Sequence, residues 1–476
     1  MTKLYELYVD GKWFGQDLDK IDVVSPATQE VIAQVPKAGK DDAVKAVDAA
    51  EAALESWSKL TAEERGQYLE TWHQLIDDER ETLGKLMTEE QGKPLKEAIG
   101  EVKYANGFIK WYAEEGKRIY GDIIPASHPN KRILVQKQPV GVVSAITPWN
   151  FPAAMITRKV APALAAGCTV VFKPATQTPL TAIKLVELAE KAGIPKGVIN
   201  IVVGSSSQIG KAWSDDSRVR KLTFTGSTEV GKLLMRDAAN TMKKVSLELG
   251  GHAPVIVMED ADLKKAVKGV IQSKFRNAGQ TCICANRVYV HESVEQDFLE
   301  LLKEEVRQLK VGNGLDDGTD IGPLIDEDAM KKVDEHVQDA VNQGAKLEIG
   351  GSKIEDNKGF YFEPTVLSNV NDDMVCMNDE TFGPLVPVTT FQAEDEVIKR
   401  ANQTPFGLAS YVFTENISRA FRISEALHFG IVGLNDGAPS TPQAPFGGFK
   451  ESGLGREGGY YGIEEYLETK YISLGL

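Results

Sequence analysis

The feature that most constrains this fold is an alternation of short, wholly apolar runs with amphipathic helical segments. Strands without a polar face must be covered on both sides, and a parallel sheet between layers of helices provides that cover. A first series has strands at 140–147, 169–173, 200–204 and 221–225, and a helix at 181–192. A second series has strands at 254–258, 287–291 and 386–391, and helices at 262–275, 293–309 and 327–343. Two such series predict an α/β protein.

Three further segments lie outside these series. Apolar residues three and four positions apart predict helices from residue 41 to about 115, with one continuous helical stretch over 62–90. The run at 131–138 alternates polar and apolar residues, and 457–476 looks like a strand in need of a pairing partner. We expect these last two segments to pair in a small β extension, of a kind that often serves subunit contacts.

Composition excludes several classes of function. The 476 residues include 54 Lys and Arg against 69 Asp and Glu, a net charge of −15, whereas a nucleic-acid binder needs a basic face. Four cysteines without a C-x-x-C pair, and six scattered histidines, predict neither a disulfide scaffold nor a metal site. We find no signal peptide and no apolar run of membrane-spanning length. These observations favour a reduced, cytoplasmic protein with no membrane partner.

Two glycine motifs resemble phosphate-binding loops. The match to G-x-G-x-x-G at 453–458 leaves no room for a βαβ unit before residue 476, so we interpret it as a chance match. The segment 226–232 resembles a Walker A loop, but Leu233 stands where the magnesium-binding Ser or Thr should be. What remains is a Gly226–Ser227 loop that leads from a strand into a helix, which suits a phosphate group.

Among the cysteines, Cys282 has the most reactive setting. It follows a predicted helix, in the small-residue loop Gly279-Gln-Thr, whereas Cys168 lies in an apolar run typical of a core position. Cys376 is given no role. A single cysteine in a polar loop is by itself only a weak signal of a nucleophile.

Six motifs taken together make the chain resemble the aldehyde dehydrogenase superfamily, in whose order they occur. They are TPWNFP (147–152), FKPA (172–175), FTGS (224–227), LELGG (247–251), FRNAGQTC (275–282) and ETFGP (380–384). The resemblance implies two Rossmann-type α/β domains and a small β oligomerisation extension. The cofactor-binding domain would comprise 1–115 and 139–252, the catalytic domain 253–440, and the extension 116–138 and 457–476. The implied reaction is NAD(P)-dependent oxidation of an aldehyde to an acid through a thioester.

The resemblance also assigns the catalytic roles. Cys282 would attack the aldehyde as a thiolate, so we expect its pKa to be lowered by its surroundings. The side-chain amide of Asn150 and the backbone N–H of Cys282 would stabilise the resulting oxyanion. Glu248 would be the general base for hydrolysis, and its apolar neighbours should raise its pKa.

The resemblance places a larger set of residues around the dinucleotide. These are Thr147, Trp149, Lys173, Pro174, Ala175, Thr176, Gly226, Ser227, Leu249, Glu380 and Phe382. Many relatives that prefer NAD have a glutamate where this chain has Thr176. A carboxylate there would repel a 2′-phosphate and a threonine would not, so this departure favours NADP, or use of both NADP and NAD.

The substrate assignment depends on three residues. In the succinate-semialdehyde dehydrogenase branch, two arginines and a serine bind the distal carboxylate, and Arg158, Arg276 and Ser440 match them. The implied substrate is a small aldehyde with a distal carboxylate, and the implied setting is the degradation of γ-aminobutyrate. Glutarate semialdehyde, which is longer by one methylene, and broad aldehyde specificity both stay open.

Further hypotheses concern the type of reaction, its regulation and subunit assembly. A CoA-acylating enzyme and a non-catalytic protein of the same fold are disfavoured by the presence of Glu248, Cys282 and Asn150. Some members of the branch carry a regulatory cysteine pair at the positions of Cys282 and Cys284, which implies a reversible disulfide. The family also implies a homo-oligomer, either a tetramer or a dimer.

Overall fold

The computed structural model describes residues 2–355 and 358–476. Its strands are β1 (Lys3–Leu4), β2 (Leu7–Val9), β3 (Lys12–Phe14), β4 (Lys20–Val24), β5 (Val31–Pro36), β6 (Asp122–Ile124), β7 (Lys131–Pro139), β8 (Val142–Ile146), β9 (Thr169–Lys173), β10 (Ile199–Ile201), β11 (Val219–Thr225), β12 (Lys244–Glu248), β13 (Ala253–Val257), β14 (Ala285–His291), β15 (Lys346–Ile349), β16 (Thr365–Ser368), β17 (Leu385–Phe391), β18 (Ala409–Phe413), β19 (Ile431–Leu434), β20 (Gly453–Leu454) and β21 (Leu467–Gly475).

Helices cover the sheets. They are α1 (Lys40–Ser58), α2 (Ala62–Asp78), α3 (Arg80–Gln91), α4 (Leu95–Glu115), α5 (Ala154–Ala166), α6 (Leu180–Lys191), α7 (Ser206–Asp215), α8 (Thr228–Ala238), α9 (Leu263–Lys274), α10 (Glu295–Val306), α11 (Glu327–Asn342), α12 (Val375–Asn378), α13 (Glu394–Asn402), α14 (Ile417–Ala426) and α15 (Gly459–Glu464). Among the described residues, none of these helices has both the length and the hydropathy to cross a bilayer.

The first large sheet has the order β20-β12-β11-β8-β9-β10-β2-β3. Its strands β12, β11, β8, β9 and β10 are parallel, and antiparallel strands close it at both edges. Every residue of β9 is buried, as expected for a strand covered on both faces. The parallel sheet predicted from the first series is confirmed.

The second large sheet has the order β15-β16-β17-β14-β13-β18-β19. All its pairings are parallel except that of β15 with β16. Each large sheet has its own buried hydrophobic cluster, so the second predicted series also forms a separate core. The short connection from β12 to β13 joins the two sheets.

The remaining strands form two smaller sheets. One has the order β1-β5-β4, and the other has the order β21-β7-β6. Strand β21 pairs antiparallel with β7 from Leu467 opposite Pro139 to Gly475 opposite Lys131. The predicted pairing of the carboxyl-terminal strand with 131–138 is therefore confirmed.

Two predictions of secondary structure are wrong. Residues 457–476 are not strand throughout, because α15 precedes β21 and packs against α4 and α5, where its Ile463 is buried. A strand would hold that side chain away from those helices. The continuous helix over 62–90 is interrupted at Glu79, where the chain turns so that α2 and α3 both pack along α4.

Candidate active site

The predicted site residues gather where the two large sheets meet. In the first sheet they follow the carboxyl ends of four adjacent parallel strands, β12, β11, β8 and β9, an edge at which α/β proteins commonly bind ligands. In the second sheet, Cys282 precedes β14, and Glu380 and Phe382 precede β17. The carboxyl edge of one sheet therefore faces loops at the amino edge of the other.

Two cavities meet at Cys282, which lines both of them. The first measures about 270 Å³ and also contains Arg158, Arg276 and Ser440; we call it the arginine cavity. The second measures about 310 Å³ and is lined by residues that include Trp149, Gly226, Ser227, Leu249, Glu380 and Phe382; we call it the glycine cleft. A group held in either space can reach the same sulfur atom.

The three predicted substrate residues lie together in the arginine cavity. Ser440 comes from the loop after β19, and its Oγ lies 2.6 Å from the hydroxyl oxygen of Tyr104 on α4. The guanidinium carbon of Arg276 lies 5.1 Å from the ring centroid of Phe151, within the range of a cation–π contact. The cavity thus combines cationic and hydroxyl groups with aromatic walls.

The two arginines have different electrostatic environments. Nε of Arg158 lies 2.6 Å from Oε2 of Glu457, and both side chains are almost completely buried. Lys159, the next residue on α5, also pairs with Glu457. Arg276 forms no ion pair within the part of the chain that the structure describes. Arg158 thus has a buried carboxylate partner, which it shares with Lys159. Arg276 has no carboxylate within ion-pair distance among the described residues, although its charge interacts with that of Glu97 in the same cavity.

The loop that carries Cys282 has an irregular backbone. A 3₁₀ turn at Arg276–Gly279 follows α9, and within it Asn277 and Ala278 adopt left-handed conformations with φ of 52° and 55°. Such conformations cost about 1–3 kcal/mol each in non-glycine residues and are common at functional sites. Side-chain hydrogen bonds hold the turn, including one from Gln280 Nε2 to the carbonyl oxygen of Asn277 at 3.1 Å.

The predicted lowering of the Cys282 pKa is wrong for the protein without ligands. Burial raises the pKa of this thiol to about 12, because the thiolate loses solvation, although nearby Arg158 favours the charged form. Glu380 and Glu248 oppose ionisation further. The thiol is therefore protonated at neutral pH and must lose its proton as the reaction begins.

Asn150 is buried beside Cys282 at the wall of the glycine cleft. Its Nδ2 donates a hydrogen bond to the carbonyl oxygen of Gln280 at 3.0 Å. The amide nitrogen carries two hydrogens, so one further N–H can bind an oxygen of a ligand. Its main-chain oxygen accepts hydrogen bonds from Lys93 Nζ at 2.8 Å and from Asn277 Nδ2 at 2.9 Å.

Glu248 ends β12 and is buried. Burial raises its pKa well above the usual value, and the negative charge of Glu457 raises it further, as predicted for a base near apolar residues. Its Oε2 has no hydrogen-bond partner among the described residues. The side chain lines neither cavity, but its charge interacts with Cys282.

The glycine cleft fits the phosphate and ribose groups of a dinucleotide. Gly226 and Ser227 precede α8, and the hydroxyl of Ser227 accepts a hydrogen bond from Val230 N at 3.3 Å as a helix cap. A side chain at Gly226 would approach the ring of Phe224 to 2.4 Å, so any larger residue there would force that ring to move. Backbone N–H groups at this helix end favour an anion.

The opposite wall of the cleft carries a carboxyl group and two aromatic rings. Oε1 of Glu380 accepts a hydrogen bond from Gly251 N at 3.1 Å, and burial raises the Glu380 pKa to about 7. Trp149 and Phe382 contact each other edge to face, with ring centroids 5.7 Å apart. These groups suit a ribose hydroxyl and a flat ring.

The remaining predicted cofactor residues lie near the same sheet edge but line neither cavity. Thr147 N donates to the carbonyl oxygen of Lys173 at 3.1 Å, across the ends of β8 and β9. Pro174 is buried, and Ala175 and Thr176 are half-buried. Burial lowers the pKa of Lys173 to about 8, and within the described residues its Nζ donates only to the Pro174 carbonyl oxygen, at 3.2 Å. A buried ammonium group with so few acceptors can bind a ligand oxygen.

Cys284 lies apart from the reactive sulfur atom. It lines neither cavity and is fully buried, and its thiol donates to the carbonyl oxygen of Lys274 at 3.6 Å. All four cysteines are free thiols in this structure. A disulfide between Cys282 and Cys284 would require this loop to rearrange, and it stays a prediction.

Several residues that complete the site lie outside the motifs that could be recognised in the sequence. The residues in or beside the arginine cavity are Glu457, Lys159, Lys93, Glu101 and Tyr104. Glu457 lies inside the G-x-G-x-x-G match at 453–458, where an acidic residue between glycines was the available signal. For Lys93, the available signal is the sequence Gly92-Lys93-Pro94, in which glycine and proline interrupt the helical spacing of apolar residues.

Comparison with known proteins agrees with this geometry. Residues 13–472 match the aldehyde dehydrogenase family. A glutarate-semialdehyde dehydrogenase of Pseudomonas putida is 55% identical over 472 residues, which cover 99% of this chain and 98% of that protein. The NADP(+) succinate-semialdehyde dehydrogenase GabD of Escherichia coli is 54% identical over 469 residues, which cover 98% of this chain and 97% of that protein.

A solved structure shows the same architecture. The crystal structure of an NADP-dependent enzyme of Escherichia coli matches with a TM-score of 0.98 and 53% sequence identity, and the match covers 100% of this chain and 98% of the other. Sequence and fold therefore agree over nearly the whole chain, including both walls of the site. The chain belongs to the aldehyde dehydrogenase family.

Proposed function

We propose that this protein oxidises succinate semialdehyde to succinate with a nicotinamide dinucleotide, as a step in the degradation of γ-aminobutyrate. The observation that carries the proposal is Arg276, a cation with no carboxylate within ion-pair distance among the described residues, in a cavity that Cys282 also lines. A guanidinium group there can bind the distal carboxylate in two parallel hydrogen bonds and so direct the aldehyde carbon toward the sulfur.

In the first step, the sulfur of Cys282 adds to the aldehyde carbon and the carbonyl oxygen becomes an oxyanion. The thiol carries its proton at rest, because burial raises its pKa to about 12, and the thiolate is the nucleophile, so the proton must leave to solvent as the carbon–sulfur bond forms. The free N–H of Asn150 stabilises the oxyanion, together with the backbone N–H of Cys282. Removing one such donor typically costs ~2.7–4 kcal/mol of transition-state stabilisation.

A dinucleotide bound in the glycine cleft would supply the hydride acceptor that converts the thiohemiacetal on Cys282 to a thioester. Gly226 and Ser227 would hold its phosphate groups, and Lys173 and Glu380 would bind its ribose hydroxyls. The rest of the dinucleotide would be positioned by Trp149, Phe382, Leu249 and Thr147. These contacts would hold the acceptor next to the thiohemiacetal.

In the last step, Glu248 removes a proton from water, and the resulting hydroxide attacks the thioester and releases Cys282. A carboxylate with a raised pKa is a stronger base than an ordinary one near neutral pH. The distal carboxylate of the acid product remains bound to Arg276 until the product dissociates. Release of the thiol restores the starting enzyme.

We propose that NADP is accepted as well as NAD. Thr176 is half-buried at the carboxyl end of β9 and carries no charge that would repel a 2′-phosphate. The GabD relative is named as an NADP(+) enzyme, which supports the same preference.

Glutarate semialdehyde is a second candidate substrate. The Pseudomonas putida relative named for it is 55% identical to this chain. One methylene changes binding by only ~1–3 kcal/mol in an apolar pocket, so a single cavity can accept both aldehydes. The cavity of about 270 Å³ is large compared with either molecule.

The proposed cellular form is a cytoplasmic homo-oligomer, either a dimer or a tetramer. Four free thiols suit a reducing compartment. The sheet formed by β6, β7 and β21 exposes Ile123 at 81% and Tyr471 at 61% of their maximal area, and such apolar surface typically marks an interface. Sedimentation of wild type and Ile123→Asp would test the proposal, since only the wild type should assemble.

The proposed activity is tested by initial rates with four aldehydes. We expect kcat/KM for succinate or glutarate semialdehyde to exceed that for butanal and for benzaldehyde by at least about 30-fold, since a charge-assisted pair in a closed site is worth ~2–5 kcal/mol. Each rate should be measured with NADP and with NAD. Equal kcat/KM for the four aldehydes would contradict the proposed specificity.

A further inference from the structure

We propose that the turn Gln91–Gly92–Lys93, between α3 and α4, is a positioning element that fixes Asn150 against the loop carrying Cys282. The inference rests on the proposed function, because Asn150 matters only if it stabilises an oxyanion. None of the three residues would contact the reacting atoms. The turn belongs to the helical layer, and it reaches the junction of the two large sheets from outside both.

A closed ring of hydrogen bonds carries this inference. Lys93 Nζ donates to the main-chain oxygen of Asn150 at 2.8 Å, and Lys93 N donates to Oε1 of Gln91 at 3.0 Å. Nε2 of Gln91 donates to Oδ1 of Asn277 at 2.9 Å, and Nδ2 of Asn277 donates to the same oxygen of Asn150 at 2.9 Å. Residues from two other segments, the turn and the loop before Cys282, thus define the position of the Asn150 carbonyl group.

The ring is buried and continues into both catalytic loops. Asn277 lies in the turn before Cys282, and Asn150 Nδ2 donates to Gln280 O in the same loop. Gln91, Asn277 and Gln280 are at most 1% exposed. A shift of the turn would therefore displace the oxyanion donor and the nucleophile relative to each other.

A buried ion pair fixes the other end of Lys93. Its Nζ pairs with Oε2 of Glu101, and the two side chains are 1% and 2% exposed. Oε1 of Glu101 accepts hydrogen bonds from Ala153 N at 2.9 Å and Ala154 N at 3.2 Å, at the start of α5. Lys93 therefore connects Asn150 to the helix that follows it.

Packing around Gly92 holds the turn rigidly. Gly92 has a φ of 94°, and a side chain there would approach Pro323 Cγ to 2.6 Å and Pro26 Cγ to 2.9 Å. Gln280 Nε2 donates to the main-chain oxygen of Pro323 at 3.3 Å, so the same proline contacts the nucleophile loop. The turn is thus fixed from the side opposite Asn150 as well.

Burial of an ion pair is weak evidence for stability, because hydrophobic replacements of similar volume are often neutral or stabilising. The Lys93–Glu101 pair therefore needs another explanation, and orientation of Asn150 provides one. A methionine at 93 would fill similar space without donating a hydrogen bond. The substitution Lys93→Met therefore removes the hydrogen bond to Asn150 while it keeps the packing of the side chain.

The test is a double-mutant cycle on kcat between Lys93→Met and Asn150→Ala. We expect Lys93→Met to lower kcat by up to about 100-fold, as small displacements of catalytic groups do, with little change in KM for the aldehyde or in cofactor affinity. If Lys93 acts through Asn150, the double variant should be no slower than Asn150→Ala alone. Additive losses, or an unchanged kcat in Lys93→Met, would overturn the inference.

Two controls separate positioning from unfolding. Lys110→Met removes a lysine whose Nζ lies 3.4 Å from Glu70, at an exposed position on α4, and should leave kcat unchanged. Iodoacetamide alkylates Cys282 without forming an oxyanion, so its rate should match wild type in Lys93→Met. Slowed alkylation would show general damage and would contradict the positioning role.

A second variant keeps the inference testable if Lys93→Met does not fold. Gln91→Leu breaks the ring at Asn277 without leaving a buried charge unpaired, and it should lower kcat with the same lack of additivity. Any aldehyde that the wild type oxidises can be used. A result that contradicts the positioning role would therefore not contradict the proposed substrate. An inactive wild type would instead refute the proposed function.

Discussion

Arg158 and Glu457 form a buried ion pair, with Nε of the arginine 2.6 Å from Oε2 of the glutamate, although 299 positions separate them in the sequence. The guanidinium carbon of Arg158 also lies 4.0 Å from the ring centroid of Phe446. Arg158 thus makes contacts that stabilise the protein interior, and it also lines the cavity. Arg276 has no carboxylate within ion-pair distance among the described residues.

This difference predicts distinct effects of removing the two arginines. Arg276→Ala should raise KM for succinate semialdehyde, because the substrate loses a charge-assisted pair worth ~2–5 kcal/mol of binding free energy. The melting temperature of this variant should stay nearly unchanged. Arg158→Ala should also lower the free energy of unfolding more than Arg276→Ala does, because it removes one of the two buried cations that pair with Glu457 and leaves only Lys159. Steady-state kinetics and thermal melts measure the two effects.

A neutral aldehyde is the control for charge recognition. Butanal oxidation should be little affected by Arg276→Ala, and Arg236→Ala, at an exposed position on α8, should affect neither substrate. Equal KM increases for butanal and for the semialdehyde would show that Arg276 does not bind the carboxylate. Equal melting temperatures for the Arg158 and Arg276 variants would contradict the role of the Glu457 pair.

Cofactor binding should depend on the ionisation of Glu380. Burial raises its pKa to about 7, so the carboxylate that accepts ribose hydroxyls forms only as pH rises through that value. Affinity for the dinucleotide should therefore increase from pH 6 to pH 8, and Glu380→Gln should remove that increase. Quenching of Trp149 fluorescence reports binding, and a pH dependence that survives in the variant would refute the assignment.

The same carboxyl group should affect stability with a defined sign. Between its usual value of 4.5 and about 7, the native state binds more protons at Glu380 than the unfolded state does. The free energy of unfolding must then fall as pH rises through this window. Urea titrations of the unliganded protein should show a smaller decrease for Glu380→Gln than for wild type.

Thr176→Glu should shift cofactor preference toward NAD. A carboxylate at this position repels the 2′-phosphate, and we expect the NADP/NAD ratio of kcat/KM to fall by about tenfold or more, which is ~1.4 kcal/mol. The control is Gln177→Glu, which places the same charge on the exposed neighbouring residue. An equal shift in both variants would show that net charge, and not the position of Thr176, sets the preference.

Cys284 should protect Cys282 from irreversible oxidation. Mild peroxide would oxidise the two thiols to a disulfide and yield water, and dithiothreitol would then reverse it. We expect activity to return in wild type and in Cys376→Ala, but not in Cys284→Ala. Equal recovery in all three proteins would contradict a disulfide at this site, and would agree with the buried, inward-facing thiol of Cys284.

Local patterns in the sequence predict the elements of this protein well. Strand β9 is uniformly apolar between Thr169 and Lys173, and a parallel sheet is the environment that such a run requires. The motifs around Asn150 and Cys282 are likewise contiguous, so they can be recognised without knowledge of the fold. The three carboxylate-binding candidates could be predicted for the same reason, and all three line one cavity.

Relationships between distant segments could not be predicted in this way. The partner of Arg158 lies near the carboxyl terminus, and the contact of Lys93 with Asn150 joins a helical turn to a loop 57 positions away. The raised pKa of Cys282 follows from burial by several elements together. Tertiary packing also determines that α15 is a helix, because its contacts with α4 and α5 outweigh the strand-like pattern of its sequence.

The most direct test of the proposed mechanism is a pre-steady-state reaction of Glu248→Gln with an excess of succinate semialdehyde and NADP. We predict a burst of about one equivalent of reduced cofactor per site, followed by a stall, because hydrolysis lacks its base. Mass spectrometry of the quenched protein should then locate a succinyl group on Cys282, and Cys282→Ala should give neither burst nor adduct. A full burst without an adduct on Cys282 would contradict the covalent mechanism.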